Sequence, residues 1–326
     1  MVKKMVKYAW CLLFVALLMP LSACSGNSEV KTETNDIPRI VFVTPLNEHA
    51  VWDIAKKGFE DAANDLNFGA DYVGPKELDP EAMVDLMNKA IYSKVDGIIT
   101  MAVDNNVLNP VMEKAAEGGI AVAFVAADAP SSSRLFFIGT DQKKIGEIGG
   151  SALLSRMNGK PIRAVIMQST MVNSFANNAR ESYLEVLKNY PDFKLIANVD
   201  CDSDIMVAIQ RFEYLFDKYP EINTVIGVCG EAGPAAARVV KELGIQDKVN
   251  ILAIDDVDET LNLVRDGSIW GTVAQNYYKM GYDAAKSIYY YVRDGEMPEN
   301  KVFDSGCMLV TEDNVDTYKS SWYSVD

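Results

Sequence analysis

Short apolar runs of strand length alternate with amphipathic helical segments along most of this chain, beginning at Arg39. The runs are too short for stable helices and end at polar turn residues, which is typical of parallel strands buried on both faces. These runs lie at 40–44, 70–73, 97–100, 120–125, 135–138, 164–167, 195–199, 224–228 and 251–254. Strands that alternate with helices predict an α/β fold in which helices cover parallel sheets on both faces.

The alternating pattern begins again after Gly139-Thr140-Asp141. A helix is predicted from Gln142 to Met157, and a second series of strands and helices follows it. Asp79 and Asp141 precede predicted helices. Asp79 is expected to be an N-cap, and Asp141 is expected to be an N-cap or a hinge residue. Two similar series within about 290 residues predict two Rossmann-like lobes, which strand counting alone would join through one linker.

The segment 249–281 combines a buried strand, an acidic turn, a short helix, a second strand and a further helix. Asp255 follows the first of these strands, and Gln275 ends the second. Because ligands of open α/β sheets bind beyond the carboxyl ends of strands, both side chains are candidate ligand contacts. Alternatively, Asp255 caps the next helix and Gln275 is a solvated strand end.

This segment, with its sequence Gly-Thr-Val-Ala-Gln-Asn-Tyr-Tyr-Lys-Met-Gly-Tyr from Gly271, resembles the sugar-binding proteins of bacterial ABC importers of the ribose and galactose type. The resemblance implies a type I periplasmic binding protein with two lobes and a three-segment hinge. The chain would cross between lobes near 126–141, 273–277 and 303–308. The implied N-terminal lobe comprises 39–140 and 276–303, and the C-terminal lobe comprises 141–275 and 304–326. The resemblance further implies that Asp255 and Gln275 bind sugar hydroxyls and that the lobes close on the ligand.

In the first lobe, the resemblance places polar and aromatic ligand contacts after the first strand. Trp52 is the candidate that would stack on a sugar ring, and Asn47 is a candidate polar contact. Trp52 could instead be a core residue of the first helical turn. Relatives carry an aspartate at the fourth strand end, where this chain has Ala126, so Asp128 is either the ligand carboxylate or a turn residue.

In the second lobe, polar residues open the helix that follows the strand at 164–167. The related proteins use an arginine here, but its slot falls at Ala179, one residue before Arg180. Arg180 is therefore a candidate contact, and Asn177 and Asn178 are candidates to replace it.

A further strand ends at Cys229, where related proteins carry an asparagine-aspartate pair. Cys229 and Glu231 are the candidate contacts at this position. Favourable placement of an acid at a helix N-terminus would equally explain Glu231.

The first residues have the pattern of a targeting segment, with three lysines before an apolar run and small residues before Cys24. The segment resembles a bacterial lipobox, which implies a signal peptide at 1–23, lipidation of Cys24 and attachment to the outer face of the cytoplasmic membrane. The alternative is an ordinary secretory peptide with an accidental cysteine. Residues 24–38 are predicted to be a flexible tether.

Charge and residue counts exclude several classes of function. Loss of the three lysines of the signal changes the formal net charge from −15 to −18, which argues against binding nucleic acid. His49 is the only histidine, and the cysteines show no paired framework or zinc-type spacing. No metal and no cofactor are therefore expected, and most histidine-dependent catalytic schemes are excluded.

These observations favour a binding protein for an uncharged, hydroxyl-rich small molecule, because carboxylates accept hydroxyl protons without needing a counter-charge. The expected partners are a monosaccharide or polyol and an ABC permease in the membrane, and the expected state is a monomer. The alternative is a receptor that signals ligand occupancy to a histidine kinase or chemoreceptor without transport. An enzyme is not expected, because Asp258 in the acidic segment after the ninth strand is predicted to be a helix N-cap and no partner base is visible.

Overall fold

The computed structural model describes residues 37–172 and 174–319. The strands are β1 (Arg39–Val43), β2 (Gly69–Val73), β3 (Gly97–Thr100), β4 (Ala121–Val125), β5 (Phe136–Gly139), β6 (Ile162–Gln168), β7 (Phe193–Asp200), β8 (Thr224–Gly227), β9 (Asn250–Ile254), β10 (Gly271–Gln275), β11 (Val302–Asp304) and β12 (Cys307–Thr311). The helices are α1 (Ala50–Leu66), α2 (Pro80–Tyr92), α3 (Asn105–Glu117), α4 (Gln142–Met157), α5 (Ser174–Leu187), α6 (Ile205–Lys218), α7 (Ala232–Glu242), α8 (Asp258–Arg265) and α9 (Tyr277–Asp294). The predicted signal peptide, Cys24 and most of the tether lie outside the described residues.

The strands form two six-stranded sheets. The first sheet has the order β11-β5-β4-β3-β1-β2 and is parallel throughout, whereas in the second, β12-β10-β9-β8-β6-β7, only the edge strand β12 is antiparallel. The predicted α/β class with parallel sheets is confirmed. The sequence pattern missed β11 and β12, because both are short and largely half-exposed.

The chain passes between the two sheets three times. It leaves the first sheet after β5, returns from β10 to α9, which packs beside β3 and β4, and crosses again between β11 and β12. Strand counting alone predicts a single passage. Strand counting misses the last two passages because α9 and β11 follow the second series of strands in sequence but pack with the first sheet.

Alternation along β6 shows how each sheet is covered on both faces. Ile162, Ala164 and Ile166 belong to one apolar cluster, and Val165 and Met167 belong to another. Successive strand side chains point to opposite faces, so both faces of the second sheet are buried. This explains why its strands are continuous apolar runs.

Two glycines allow α1 and α9 to pack closely. A Cβ on Gly58 would lie 2.1 Å from the Tyr278 carbonyl oxygen, and one on Gly281 would lie 2.0 Å from the Ala55 carbonyl oxygen. Neither position can therefore carry a side chain without separating the helices. The contact places the first turn of α1 beside the start of α9, at the edge of the first sheet.

Three aspartates are predicted to be helix N-caps, and the structure confirms two of them. Asp79 and Asp141 accept hydrogen bonds from backbone N–H groups in the first turns of α2 and α4, at 3.0 Å each, so both predicted N-caps are confirmed. The predicted N-cap role of Asp258 is wrong. Val257 is the N-cap of α8, and Asp258 lies in the first turn. Among the described residues, no helix is long and apolar enough to cross a membrane.

Candidate functional site

A cavity of about 80 Å³ lies where strand ends from both sheets meet. Its lining comes from segments that follow β1, β2 and β3 in the first sheet and β6, β7, β8 and β9 in the second, together with the first residue of α9. The lining residues are Pro45, Leu46, His49, Val51, Trp52, Leu78, Met101, Val103, Ser169, Phe175, Ser203, Val228, Cys229, Gly230, Glu231, Asp255 and Tyr277. Carboxyl ends of parallel strands are where α/β folds bind ligands.

Three aromatic side chains contribute to the apolar part of the cavity wall. Trp52 is 5% exposed, and its ring lies 5.6 Å from the ring of Tyr277 at an interplanar angle of 76°. Phe175, from the first turn of α5, contributes an aromatic surface from the second lobe. Edge-to-face contacts such as that of Trp52 with Tyr277 hold the rings in a defined orientation.

Asp255 is a buried carboxylate at the end of β9. Its φ of 67° lies in the left-handed region, which asparagine and aspartate adopt more readily than most other residues. Its Oδ1 accepts a hydrogen bond of 2.7 Å from Gln275 Nε2, which also lies 3.3 Å from the Tyr277 hydroxyl. Burial raises the pKa of Asp255 to about 7. The hydrogen bond from Gln275 lowers this pKa, and the nearby charge of Asp256 raises it further.

Gln275 is fully buried at the end of β10. Within the described part of the chain its Oε1 has no hydrogen-bond partner. A buried amide oxygen without a donor costs folding free energy, and a ligand hydroxyl is one group that could supply the missing bond.

His49 and Glu231 form a polar pair that connects the segment after β1 of the first sheet with the segment after β8 of the second. His49 immediately precedes α1, Glu231 immediately precedes α7, and His49 Nε2 lies 3.1 Å from Glu231 Oε1. Burial opposes protonation of His49, but the hydrogen bond and charge of Glu231, with Asp255 and Asp53, outweigh it and raise the His49 pKa. Burial likewise opposes ionisation of Glu231, yet His49 holds the Glu231 pKa below its ordinary value. Each group therefore shifts the pKa of the other in the direction that favours the ionised pair.

Cys229, which was predicted as a contact, lines the cavity and is buried. Its Sγ lies 3.6 Å from Sγ of Cys201, which follows β7. The sequence suggested no cysteine pair, because the two positions are 28 residues apart and meet only through the order of the strands.

The structure brings together five of the ten predicted contacts. Trp52, Cys229, Glu231 and Asp255 line the cavity, and Gln275 is hydrogen-bonded to Asp255. The other five do not line it.

Asp128, among these, forms a bidentate ion pair with Arg134, with Oδ2 2.7 Å from Nη2. The ion pair engages both carboxylate oxygens of Asp128, in agreement with the alternative that Asp128 is a turn residue.

The remaining predicted contacts lie outside the cavity lining. Asn47 is half-buried in the segment after β1, where its backbone N–H donates to the Pro75 carbonyl oxygen at 2.7 Å. Arg180 and Asn177 join a network around Gln168, with Arg180 Nη1 3.2 Å from Gln168 Oε1 and 3.1 Å from Asn177 Oδ1. Asn178 is exposed on α5.

Sequence reasoning missed His49, Phe175 and Tyr277 as cavity residues. The count of one histidine served only to exclude histidine-dependent catalysis. The position of His49 between β1 and the first helix is the signal that could have placed it at a strand-end site. Tyr277 follows Gln275 by two residues in the same segment, which is the signal that could have identified it.

A larger groove of about 690 Å³ lies between α1, the start of α9 and the segment that precedes α8. It is open and bordered by charged side chains, including Asp53, Lys57, Asp258 and Lys319. The smaller cavity is the better candidate site, because it joins strand ends of both sheets and concentrates buried polar groups.

Comparison with known proteins agrees with this architecture. The chain is 24% identical over 276 residues to the D-allose-binding periplasmic protein of Escherichia coli, which covers 80% of this chain and 88% of that protein. It is 22% identical over 295 residues to the xylose/arabinose-binding protein XylF of Sulfolobus acidocaldarius, covering 86% of this chain and 72% of that protein. A crystal structure of an ABC transporter solute-binding protein from Burkholderia graminis in complex with D-arabinose superposes with a TM-score of 0.82 at 25% identity, covering 86% of this chain and 97% of that one. Residues 40–297 match the periplasmic binding protein domain, and the chain therefore belongs to that family.

Proposed function

We propose that this chain is an extracytoplasmic solute-binding lipoprotein that captures a sugar or sugar-like polyol between its two lobes and delivers it to an ABC importer. The observation that carries the proposal is a single cavity in which aromatic rings and buried acceptor groups from both sheets converge. Relatives that bind D-allose, xylose or arabinose support a carbohydrate ligand.

The wall chemistry suits a neutral ring with hydroxyl groups. Asp255 and Glu231 offer carboxylate oxygens, and Trp52, Phe175 and Tyr277 offer ring surfaces for the C–H groups of a sugar. Each buried charge-assisted hydrogen bond contributes about 1.5 to 3 kcal/mol. Three such bonds and one ring contact are sufficient for a micromolar complex, which requires about −8 kcal/mol after binding costs.

The size of the cavity implies movement during binding. Its volume of 80 Å³ is below the roughly 300 Å³ at the lower end of typical ligand pockets. A monosaccharide therefore enters only when the strand ends of the two sheets part, and the three chain passages between the sheets are the segments that would bend. The pair of His49 and Glu231 bridges the lobes and would be broken or rearranged on opening.

Location and delivery rest on the family and on the first residues. Members of the family act outside the cytoplasm, and lipidation of Cys24 would hold the protein at the membrane beside its permease. We propose that it acts there as a monomer, since each chain carries its own cavity.

The test is a thermal-shift screen of the purified protein against monosaccharides, polyols, nucleosides and amino acids, followed by calorimetric titration of the best ligand. We expect a monosaccharide or polyol to give the largest shift. Asp255→Asn should weaken its binding at least about tenfold, because a carboxylate acceptor becomes an amide. Asp258→Asn is the matched control on the exposed first turn of α8 and should leave affinity unchanged.

Three outcomes would contradict the proposal or one of its site residues. A nucleoside or amino acid that gave the largest shift would refute a sugar-like ligand. Equal affinity of Asp255→Asn and wild type would remove Asp255 from the site, and a flat tryptophan fluorescence signal at saturation would remove Trp52.

A further inference from the structure

Two thiols and a carboxylate converge at the wall of the cavity in the second lobe. Cys201 Sγ and Cys229 Sγ are 3.6 Å apart, and these atoms and a Glu231 carboxylate oxygen all lie within 4.8 Å of one another. Cys201 and Cys229 are buried, and Glu231 is 9% exposed. Thiolate, carboxylate and imidazole groups are the side chains that bind Zn²⁺.

The sheet order explains the proximity of the thiols. Cys201 follows β7 and Cys229 follows β8, and β6 lies between these two strands. The two side chains approach each other over the end of β6, where Cys229 Sγ lies 3.9 Å from the Met167 carbonyl oxygen. Both are free thiols in the structure.

The distance between the two thiols matches that between sulfur ligands of one tetrahedral cation. With Zn–S bonds of about 2.3 Å, two sulfur ligands lie about 3.8 Å apart, close to the observed 3.6 Å. The Glu231 carboxylate lies within 4.8 Å of both sulfur atoms, so a small shift of this side chain would complete a three-ligand set.

We propose that Cys201, Cys229 and Glu231 form a three-ligand binding site for a thiophilic divalent cation of the Zn²⁺ type. Binding would release one proton from each thiol, so that two thiolates and a carboxylate face the cation.

All three ligands follow strands of the second sheet, so the site lies on one side of the cavity. This inference depends on the three side chains and not on the identity of the proposed sugar.

The experiment is a Co²⁺ titration of the full-length, reduced, metal-free protein. Co²⁺ replaces Zn²⁺ at tetrahedral sites and reports thiolate ligands by sulfur-to-cobalt charge-transfer absorption. We expect one Co²⁺ per chain, displaced by Zn²⁺, with a charge-transfer band that Cys201→Ser and Cys229→Ser each remove. Cys307→Ser is the matched control, because Cys307 lies on β12 outside the cluster, and it should keep the band. Cys11 and Cys24 are common to all variants and cancel in the comparison.

A second measurement avoids dependence on the folding of the variants. Zn²⁺ should protect Cys201 and Cys229 of the wild-type protein from alkylation under conditions that unfold it slowly, as mapped by peptide mass spectrometry, and Cys307 should be unprotected. The proposal is overturned if no charge-transfer band forms, if Cys229→Ser and Cys307→Ser behave alike, or if Zn²⁺ leaves the alkylation of the two thiols unchanged.

Discussion

Replacement of Asp255 by asparagine should stabilise the ligand-free protein, and more so at high pH. The pKa of Asp255 rises from its ordinary value of 3.8 to about 7 because the side chain is buried beside Asp256. The folded state therefore holds this proton more tightly than the unfolded state does, so stability falls as pH rises between these two values. The full effect corresponds to about 4 kcal/mol above pH 7, and the part that develops between pH 5 and pH 8 is about 2 to 3 kcal/mol.

Asparagine is the replacement that isolates the charge. It tolerates the φ of 67° at this position, and its Oδ1 can still accept the hydrogen bond from Gln275. The stability difference between Asp255→Asn and wild type should therefore favour the variant by about 2 to 3 kcal/mol more at pH 8 than at pH 5.

Urea unfolding followed by circular dichroism and tryptophan fluorescence measures this difference at each pH. Asp258→Asn, whose side chain is 89% exposed, is the control and should change stability by less than about 0.5 kcal/mol at either pH. A stability difference for Asp255→Asn that is the same at both pH values would refute the argument from charge burial.

Three further predictions follow from individual contacts. His49→Gln should destabilise the protein more at pH 6 than at pH 9 in urea unfolding. The raised His49 pKa contributes stability that is present at low pH and is lost as pH rises through that pKa. Equal losses of stability at both pH values would contradict this reasoning. Gly281→Ala should lower the free energy of unfolding by at least about 2 kcal/mol, measured by thermal or urea unfolding, because its methyl group would lie 2.0 Å from the Ala55 carbonyl oxygen. The control Gly118→Ala, with a nearest contact of 3.3 Å, should lower it by less than about 1 kcal/mol. Similar losses in the two variants would argue against close packing of α1 and α9. Asp128→Ala should lower the free energy of unfolding by about 3 kcal/mol, because it leaves the buried Arg134 guanidinium without its carboxylate partner. Ligand affinity, measured by calorimetry, should be unchanged. A loss of affinity without a loss of stability would make Asp128 a ligand contact.

The fold class could be predicted from sequence because its signals are local. Apolar runs such as the one at β9 and amphipathic segments such as α4 depend on neighbouring residues, and the predicted bounds of α4 agree with the structure. The N-caps Asp79 and Asp141 are local for the same reason, since each bonds to a backbone group within three residues. The proximity of Asp255 and Gln275 was also predictable, because β9 and β10 are consecutive parallel neighbours.

Contacts between distant segments were decided only by the tertiary structure. His49 meets Glu231 across 182 residues, and Cys201 meets Cys229 because the chain places β7 and β8 on opposite sides of β6. Asp128 was a strand-end candidate by sequence, but Arg134 folds back onto it and occupies its oxygens. The sequence by itself determined which segments become strands and helices and that polar groups follow the strands. The order of strands in the two sheets, which depends on long-range packing, decided which of those groups share a cavity.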